Sequence, residues 1–307
     1  MNAQLYGLDL FGESTAPRPS GPVAEKFLFS PFTVLDAKQG DWLERKRAWM
    51  AIGLESEIGR GESLTFNTTN IDHVSQEMAA MGGTSTFDPV LCELAYRWFC
   101  APGGQVVDPF AGGSVRGIVA AQLGLNYWGC DLRAEQVAEN REQAETICGD
   151  VIPEWVCGDS MDTLADAPDA DFVFSCPPYG DLEVYSDNPA DLSNMEWHTF
   201  VAAYKRIIMR AVGRLKNDRF ACFVVGDFRD SKGFFRDFVS TTIRAFEECG
   251  GRLYNEAILA TPVGSACLRV TKQFDASRKM AKTHQNVLVF CKGNPRKAAA
   301  ACKGVNA

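Results

Sequence analysis

From Asp88 onward the chain alternates short apolar β runs with helical patterns, and this alternation limits the fold more than any other feature. Apolar runs suited to strands fall at 105–107, 126–130, 155–157, 171–174, 220–225, 254–260 and 286–291. Helical periodicity lies between them, at 89–100, 115–123, 134–146, 200–215 and 234–249. The first of these helices carries Pro89 in its opening turn, where a missing N–H costs nothing. Strands that alternate with helices pair in parallel and need cover on both faces. The expected class is therefore α/β, with a mostly parallel sheet.

The flanks read differently. Residues 1–24 are rich in Gly, Pro, Ser and Thr and are expected to form a flexible arm. Residues 25–82 form an N-terminal extension, helical around Trp42–Trp49 and mostly loop beyond 61, with Gly82 and Gly83. Residues 83–293 form the main domain, and 294–307 a flexible tail. Hydrophobic residues make up 46% and charged residues 23%, which excludes a mostly disordered, collagen-like or coiled-coil chain. No apolar run is long enough to cross a bilayer, and no basic stretch followed by an apolar one opens the chain. A soluble cytoplasmic protein is expected. The 11 cysteines include no CxxC pair, and the three histidines lie far apart, so neither a metal site nor a disulfide framework is expected.

The chemistry begins at the end of the first β run, in Val106-Val-Asp-Pro-Phe-Ala-Gly-Gly-Ser-Val-Arg116. Glycines at such a turn let a ligand approach the backbone, and the following helix start favours an anionic group. Asp131 closes the next β run, where a carboxylate can accept both hydroxyls of a ribose. The pattern is not GxGxxG, which disfavours a dinucleotide. It fits a nucleoside-containing cofactor, although an ordinary strand-to-helix turn has the same layout. The third β run ends in Cys157-Gly-Asp-Ser160 and the fourth in Ser175-Cys-Pro-Pro-Tyr179.

Taken in order, these motifs resemble the class I S-adenosylmethionine-dependent methyltransferases. More closely they resemble the amino-group DNA methyltransferases, which modify adenine N6 or cytosine N4. Asp108-Pro-Phe-Ala-Gly-Gly113 is similar to that family's DPFxGxG-like loop, and Pro177-Pro-Tyr179 to its (D/N/S)PP(Y/F) element. Gly83-Thr-Ser-Thr-Phe-Asp-Pro89 stands where the family contacts the methionine part of the cofactor, and 284–292 is similar to its last strand. The resemblance covers roughly 83–293 and implies a Rossmann-like, seven-stranded sheet with helices on both faces. It implies S-adenosylmethionine as cofactor and DNA as partner, with RNA also compatible, and it hints at a phage or prophage origin. On this reading Asp131 and Leu132 hold the ribose end, and Asp108, Phe110, Ala111, Gly112 and Gly113 form the cofactor loop. Asp159 and Ser160 lie near the adenine, and Thr84, Ser85 and Thr86 shape the methionine pocket. Asp159 serves equally well as a helix cap, and Thr84, Ser85 and Thr86 read equally well as plain loop.

The catalytic element is Cys176, Pro177, Pro178 and Tyr179. The lone pair of an exocyclic amine is delocalised into the base. A backbone carbonyl and a polar side chain beside two rigid prolines can accept the amine hydrogens and localise that lone pair. Tyr179 can stack on a base rotated out of a duplex. Cys176 departs from the family pattern, and a thiol is a weak hydrogen-bond partner. It replaces Ser in the amine reaction, or it is a nucleophile toward pyrimidine carbon 5, or the protein binds without turnover. A nicotinamide oxidoreductase, sharing only the sheet, is a more distant rival.

On the target side, Glu183 and Tyr185 lie in an acidic, aromatic loop after the prolines that either covers the base or is plain surface. Asp227 and Arg229, at the end of the next β run, are expected at the rim of the same pocket. Residues 201–307 hold 20 Lys and Arg against 8 Asp and Glu, although the whole chain has a net charge of −8. Within this third, the insertion 261–284 carries Arg269, Lys272 and Arg278, suited to phosphate contacts. The charged helix with Arg45, Lys46, Arg47 and Trp49 is a second candidate contact, or a solvated face packed by tryptophans.

Overall fold

The structure is a computed structural model that describes residues 22–38, 40–54, 87–180, 186–263 and 266–303. Its strands are β1 (Val34–Asp36), β2 (Gln105–Asp108), β3 (Asn126–Asp131), β4 (Glu154–Cys157) and β5 (Ala170–Ser175), followed by β6 (Leu215–Val225), β7 (Phe228–Arg229), β8 (Phe235–Arg236), β9 (Gly251–Ala260) and β10 (His284–Lys292). Among the described residues one sheet of eight strands runs β1-β9-β10-β6-β5-β2-β3-β4. Only β10 is antiparallel to its neighbours β6 and β9. This is the mostly parallel α/β arrangement that the alternation predicts, in the Rossmann-like form that the resemblance implies.

Why both faces are covered follows from the residue pattern. Side chains alternate across a strand. Val106 of β2 and Phe172 and Phe174 of β5 enter one buried cluster, while Val107 and Val173 enter the other. Every residue of β5 is buried, as a central parallel strand requires. Helices Pro89–Phe99, Val115–Gln122 and Ala134–Ile147 contribute to the first cluster, and helices Trp197–Arg214 and Phe238–Glu247 to the second. Trp197–Arg214 buries Phe200, Tyr204, Ile207, Ile208 and Ala211, an apolar stripe at helical spacing.

Three expectations need correction. The sheet has eight strands rather than seven, because the N-terminal extension supplies β1, which pairs in parallel with β9 through Val34 and Ile258. The expected helix over 234–249 begins only at Phe238, because Gly233, at φ +92°, turns the chain and pairs Phe235 with Arg229 in a separate hairpin. Residues 295–301, expected in a flexible tail, form the helix Pro295–Ala301. Asn294 caps it by accepting from the Arg296 and Lys297 amides, Pro295 sits in its first turn, and Ala298 is buried. The arm expected over 1–24 lies outside the described residues up to 21, and the helix Pro22–Phe27 begins at its end. Most of the loop expected over 61–87 also falls outside them.

The extension is built into the domain. Helix Gly40–Met50 buries Trp42, Arg45 and Trp49. Arg45 grips the fully buried Glu93 with hydrogen bonds of 2.6 and 2.5 Å, Trp49 donates to the same carboxylate at 2.8 Å, and Arg97 closes the cluster at 2.8 Å. Burial opposes the Glu93 charge, but these donors, Arg45 first, more than offset it and hold its pKa below the usual carboxylate value. Arg45 and Trp49, read from the sequence as candidate substrate contacts, are therefore internal bracing. No helix among the described residues is long and apolar enough to cross a membrane.

Candidate active site

In a sheet of this kind ligands gather beyond the carboxyl ends of the strands, where the strand order reverses. Here the reversal lies between β2 and β5, since the chain runs outward from β2 through β3 to β4 and then returns to β5 and β6. A cleft of about 400 Å³ opens at that point. Phe110, Gly112, Asp131, Leu132, Asp159 and Ser160 line one half of it, and Cys176, Pro177, Pro178 and Tyr179 line the other. A larger cavity of about 740 Å³ lies between helix Pro22–Phe27, helix Pro89–Phe99 and the β9–β10 region, and none of the strand-end acids reaches it.

The first half is held by the backbone. Asp131 closes β3 and accepts hydrogen bonds from the amides of Gly112 at 3.1 Å and Arg133 at 2.9 Å. Its side chain is 18% exposed, and the Arg133 guanidinium lies 3.9 Å from it. Gly112 adopts φ +51°, a conformation that favours glycine and sharpens the turn. Asp159 accepts from the Met161 amide at 2.8 Å and caps the short helix Ser160–Thr163, so it serves as cap and cleft wall together. The Ser160 hydroxyl donates to the Pro109 carbonyl at 2.5 Å and ties β4 to the glycine loop.

Asp108 departs from its expected place on the cofactor loop. It is fully buried and does not line the cleft. Its oxygens accept from Arg116 at 2.6 Å, Tyr127 at 2.8 Å, Ser175 at 2.5 Å and the Phe110 amide at 3.1 Å. It fastens β2, β3 and β5 beneath the loop. Burial opposes the Arg116 charge, but Asp108 holds the guanidinium pKa above its ordinary value. Ala111 is buried behind the loop, and neither it nor Gly113 lines the cleft.

The second half is held by side chains from distant elements. The Tyr179 hydroxyl lies 3.9 Å from Cys176 Sγ and accepts from Gln285 Nε2 at 2.8 Å. The Tyr179 ring packs edge-on against Phe228 and Phe238, at 6.4 and 5.9 Å between centroids. Gln285 sits at the start of β10, which reaches the strand-end edge because it runs antiparallel. Phe87, Asp88 and Lys46 also line the cleft, and Lys46 pairs with Asp88 at 3.3 Å.

The expected target-side residues separate. Asp227 accepts from the amides of Phe238 and Val239 and caps helix Phe238–Glu247. Arg229 donates to the Gly233 carbonyl inside the β7–β8 hairpin and lies over the Phe235 ring. Neither lines the cleft. Lys272 is exposed on helix Ala266–Ser277, and Arg278 follows it, paired with Asp275, so both face outward rather than into the cleft. Thr84, Ser85, Thr86, Glu183, Tyr185 and the Arg269 side chain lie outside the described residues. Sequence reasoning placed Asp88 in the segment before the glycine loop without giving it a role of its own, and it missed Gln285, which no local motif marks.

No known family profile matches the chain, and no curated protein is similar to it in sequence. Solved structures resemble it in shape. TrmN from Thermus thermophilus aligns at a TM-score of 0.45 and 14% identity, over 73% of this chain and 55% of TrmN. A TehB-like SAM-dependent methyltransferase from Corynebacterium glutamicum aligns at 0.41 and 15%, over 71% and 95%. Magnesium protoporphyrin IX methyltransferase from Synechocystis PCC 6803, with bound SAM, aligns at 0.41 and 10%, over 83% and 86%.

Proposed function

We propose that this chain is an S-adenosylmethionine-dependent methyltransferase that modifies an exocyclic base amine in DNA, adenine N6 or cytosine N4. One observation carries the reading: Asp131 and the Cys176–Tyr179 segment, read separately from the sequence as cofactor and catalytic elements, line the same cleft. The cleft has the size and the mixed apolar and polar lining of a small-molecule site. Asp131 suits a ribose because its carboxylate is oriented by two amides and reaches the cleft. Asp159, Ser160 and Leu132 wall the nucleoside end. Thr84, Ser85 and Thr86, directly before Phe87 in the sequence, take the methionine end. When bound, S-adenosylmethionine supplies an electrophilic methyl group on a sulfonium.

The chain's own contribution is orientation. Pro177 and Pro178 fix the backbone beside Cys176, so that a carbonyl there accepts the amine hydrogens and directs the lone pair toward the cofactor side. Cys176 takes the place of a hydroxyl and adds a weak acceptor. Tyr179, clamped by Gln285 and two phenylalanines, offers a ring face to a flipped base.

A carbon-5 reaction instead requires Cys176 as thiolate. Arg116, the buried cation below the glycine loop, is already paired with Asp108 at 2.6 Å. Replacing Cys176 by Ser separates the two reactions. The amine reading expects methyl transfer to persist in the variant and no covalent complex between wild-type protein and 5-fluorocytosine DNA. Loss of all transfer, together with a Cys176-linked adduct, would reverse the assignment.

A further inference from the structure

The β7–β8 hairpin joins the end of β6 to helix Phe238–Glu247, and the cleft chemistry gives its outer turn no task. Its turn is closed twice by Asp230. The Asp230 amide donates to the Phe234 carbonyl at 2.8 Å, and the Asp230 carboxylate accepts from the Phe234 amide at 2.9 Å. This closed turn presents Phe234 at 72% exposure and Phe235 at 54%. Holding a Phe ring in water forgoes about 1.5–3 kcal/mol of burial, and a fixed turn that does so points to a partner.

The surroundings say which partner. Arg229, Lys232 and Arg236 belong to the hairpin, and the Lys279 side chain from the 261–284 insertion lies across Gly233, where a Cβ would meet its Nζ at 2.7 Å. Of the adjacent acids, Asp237 pairs with Arg244 at 2.8 Å, and Asp230 keeps its charge while closing the turn, so Lys232 and Lys279 outnumber the one unpaired acid beside the tip. An aromatic tip amid cations suits a polyphosphate with stacked bases.

The root of the hairpin is joined to the catalytic element. Phe228 packs edge-on against Tyr179 at 6.4 Å and against Trp197 at 5.7 Å. It also fills the space beside Gly180, where a Cβ would lie 2.8 Å from its ring.

We propose that the hairpin is a wedge for duplex DNA: Lys232 and Lys279 seat on phosphates, and Phe234 enters the base stack so that a neighbouring base leaves the helix on the Tyr179 side. The proposal rests on the DNA reading above. An amine in a duplex is stacked and paired, and taking its base out costs a few kcal/mol of unstacking. A wedge beside the catalytic element supplies part of that cost.

Sealing nicked plasmid DNA with a ligase in the presence of the full-length protein tests the wedge without needing methyl transfer or a known recognition sequence. The wild-type protein is expected to lower the linking number of the sealed circles. Phe234→Ala should still bind the plasmid but lose most of the shift, and Phe234→Trp should keep it. Lys232→Ala with Lys279→Ala should weaken plasmid binding and flatten its salt dependence. The wedge is overturned if Phe234→Ala shifts the linking number as much as wild type. It is equally overturned if the wild-type protein binds without a shift or does not bind plasmid. Absence of methyl from DNA in a separate transfer assay counts against the enzymatic reading alone, because the linking number is independent of it.

Discussion

The two halves of the cleft are built by different means. In the cofactor half each acid is fixed by backbone amides close in sequence or at an adjacent strand end: Asp131 by Gly112 and Arg133, Asp159 by Met161. In the target half the key ring is fixed by side chains from elsewhere: Tyr179 by Gln285, 106 residues away, and by Phe228 and Phe238. The first arrangement is a property of the strand ends and glycine turn, which orient whatever acid stands at those two positions. The second exists only once β10 has folded antiparallel between β6 and β9. Binding of cofactor and presentation of a target base are thus separable in this fold.

That separation can be broken by mutation, and the largest effect is expected at Asp131. Hydrogen bonds to a charged group are worth about 1.5–3 kcal/mol each, so Asp131→Ala should weaken S-adenosylmethionine at least about 100-fold by calorimetry. Its binding to duplex DNA should stay at the wild-type level; a matching loss on the DNA side would erase the distinction between the halves. The next effect is at Tyr179. Base stacking on an aromatic contributes about 1–3 kcal/mol, so Tyr179→Ala should lower kcat/KM for DNA about 5- to 150-fold. Its cofactor affinity should hold, and a fall in that affinity would mean that the halves are coupled. The smallest effect sharpens the picture. Gln285 makes one hydrogen bond to Tyr179, of about 0.5–1.5 kcal/mol, so Gln285→Ala should cost about 2- to 10-fold in kcat/KM. Gln285→Glu, which retains a partner for the hydroxyl, should recover part of that loss if Gln285 acts by positioning Tyr179.

The same contrast decides what the sequence made legible. The sheet follows from local periodicity, the glycine turn and Asp131 stand at strand ends that the sequence marks, and the proline element is marked by a family resemblance; the fold brings Asp131 and the prolines to one cleft. Asp108 looked like a ligand because it stands in the loop motif. Its role is instead set by Arg116, Tyr127 and Ser175, which meet it only in the folded sheet. Charge runs proved equally dependent on what surrounds them. The segment around Arg45 carries two tryptophans, and these draw it inward onto Glu93. The stretch around Lys272 and Arg278 has no such anchor and stays at the surface. Composition gave both segments the same sign, but only the apolar neighbours reveal which charges remain available to a polyanion. Gln285 left no trace because nothing near it in the sequence predicts that β10 runs backward.

The most direct measurement of the central claim is mass spectrometry of nucleosides from unmodified DNA incubated with the protein and S-adenosylmethionine carrying a deuterated methyl group. The account predicts a nucleoside heavier by one labelled methyl, with fragmentation placing it on the exocyclic nitrogen of adenine or cytosine, and no such product from Asp131→Ala. A label on carbon 5, or no labelled nucleoside while the cofactor binds tightly, would contradict it.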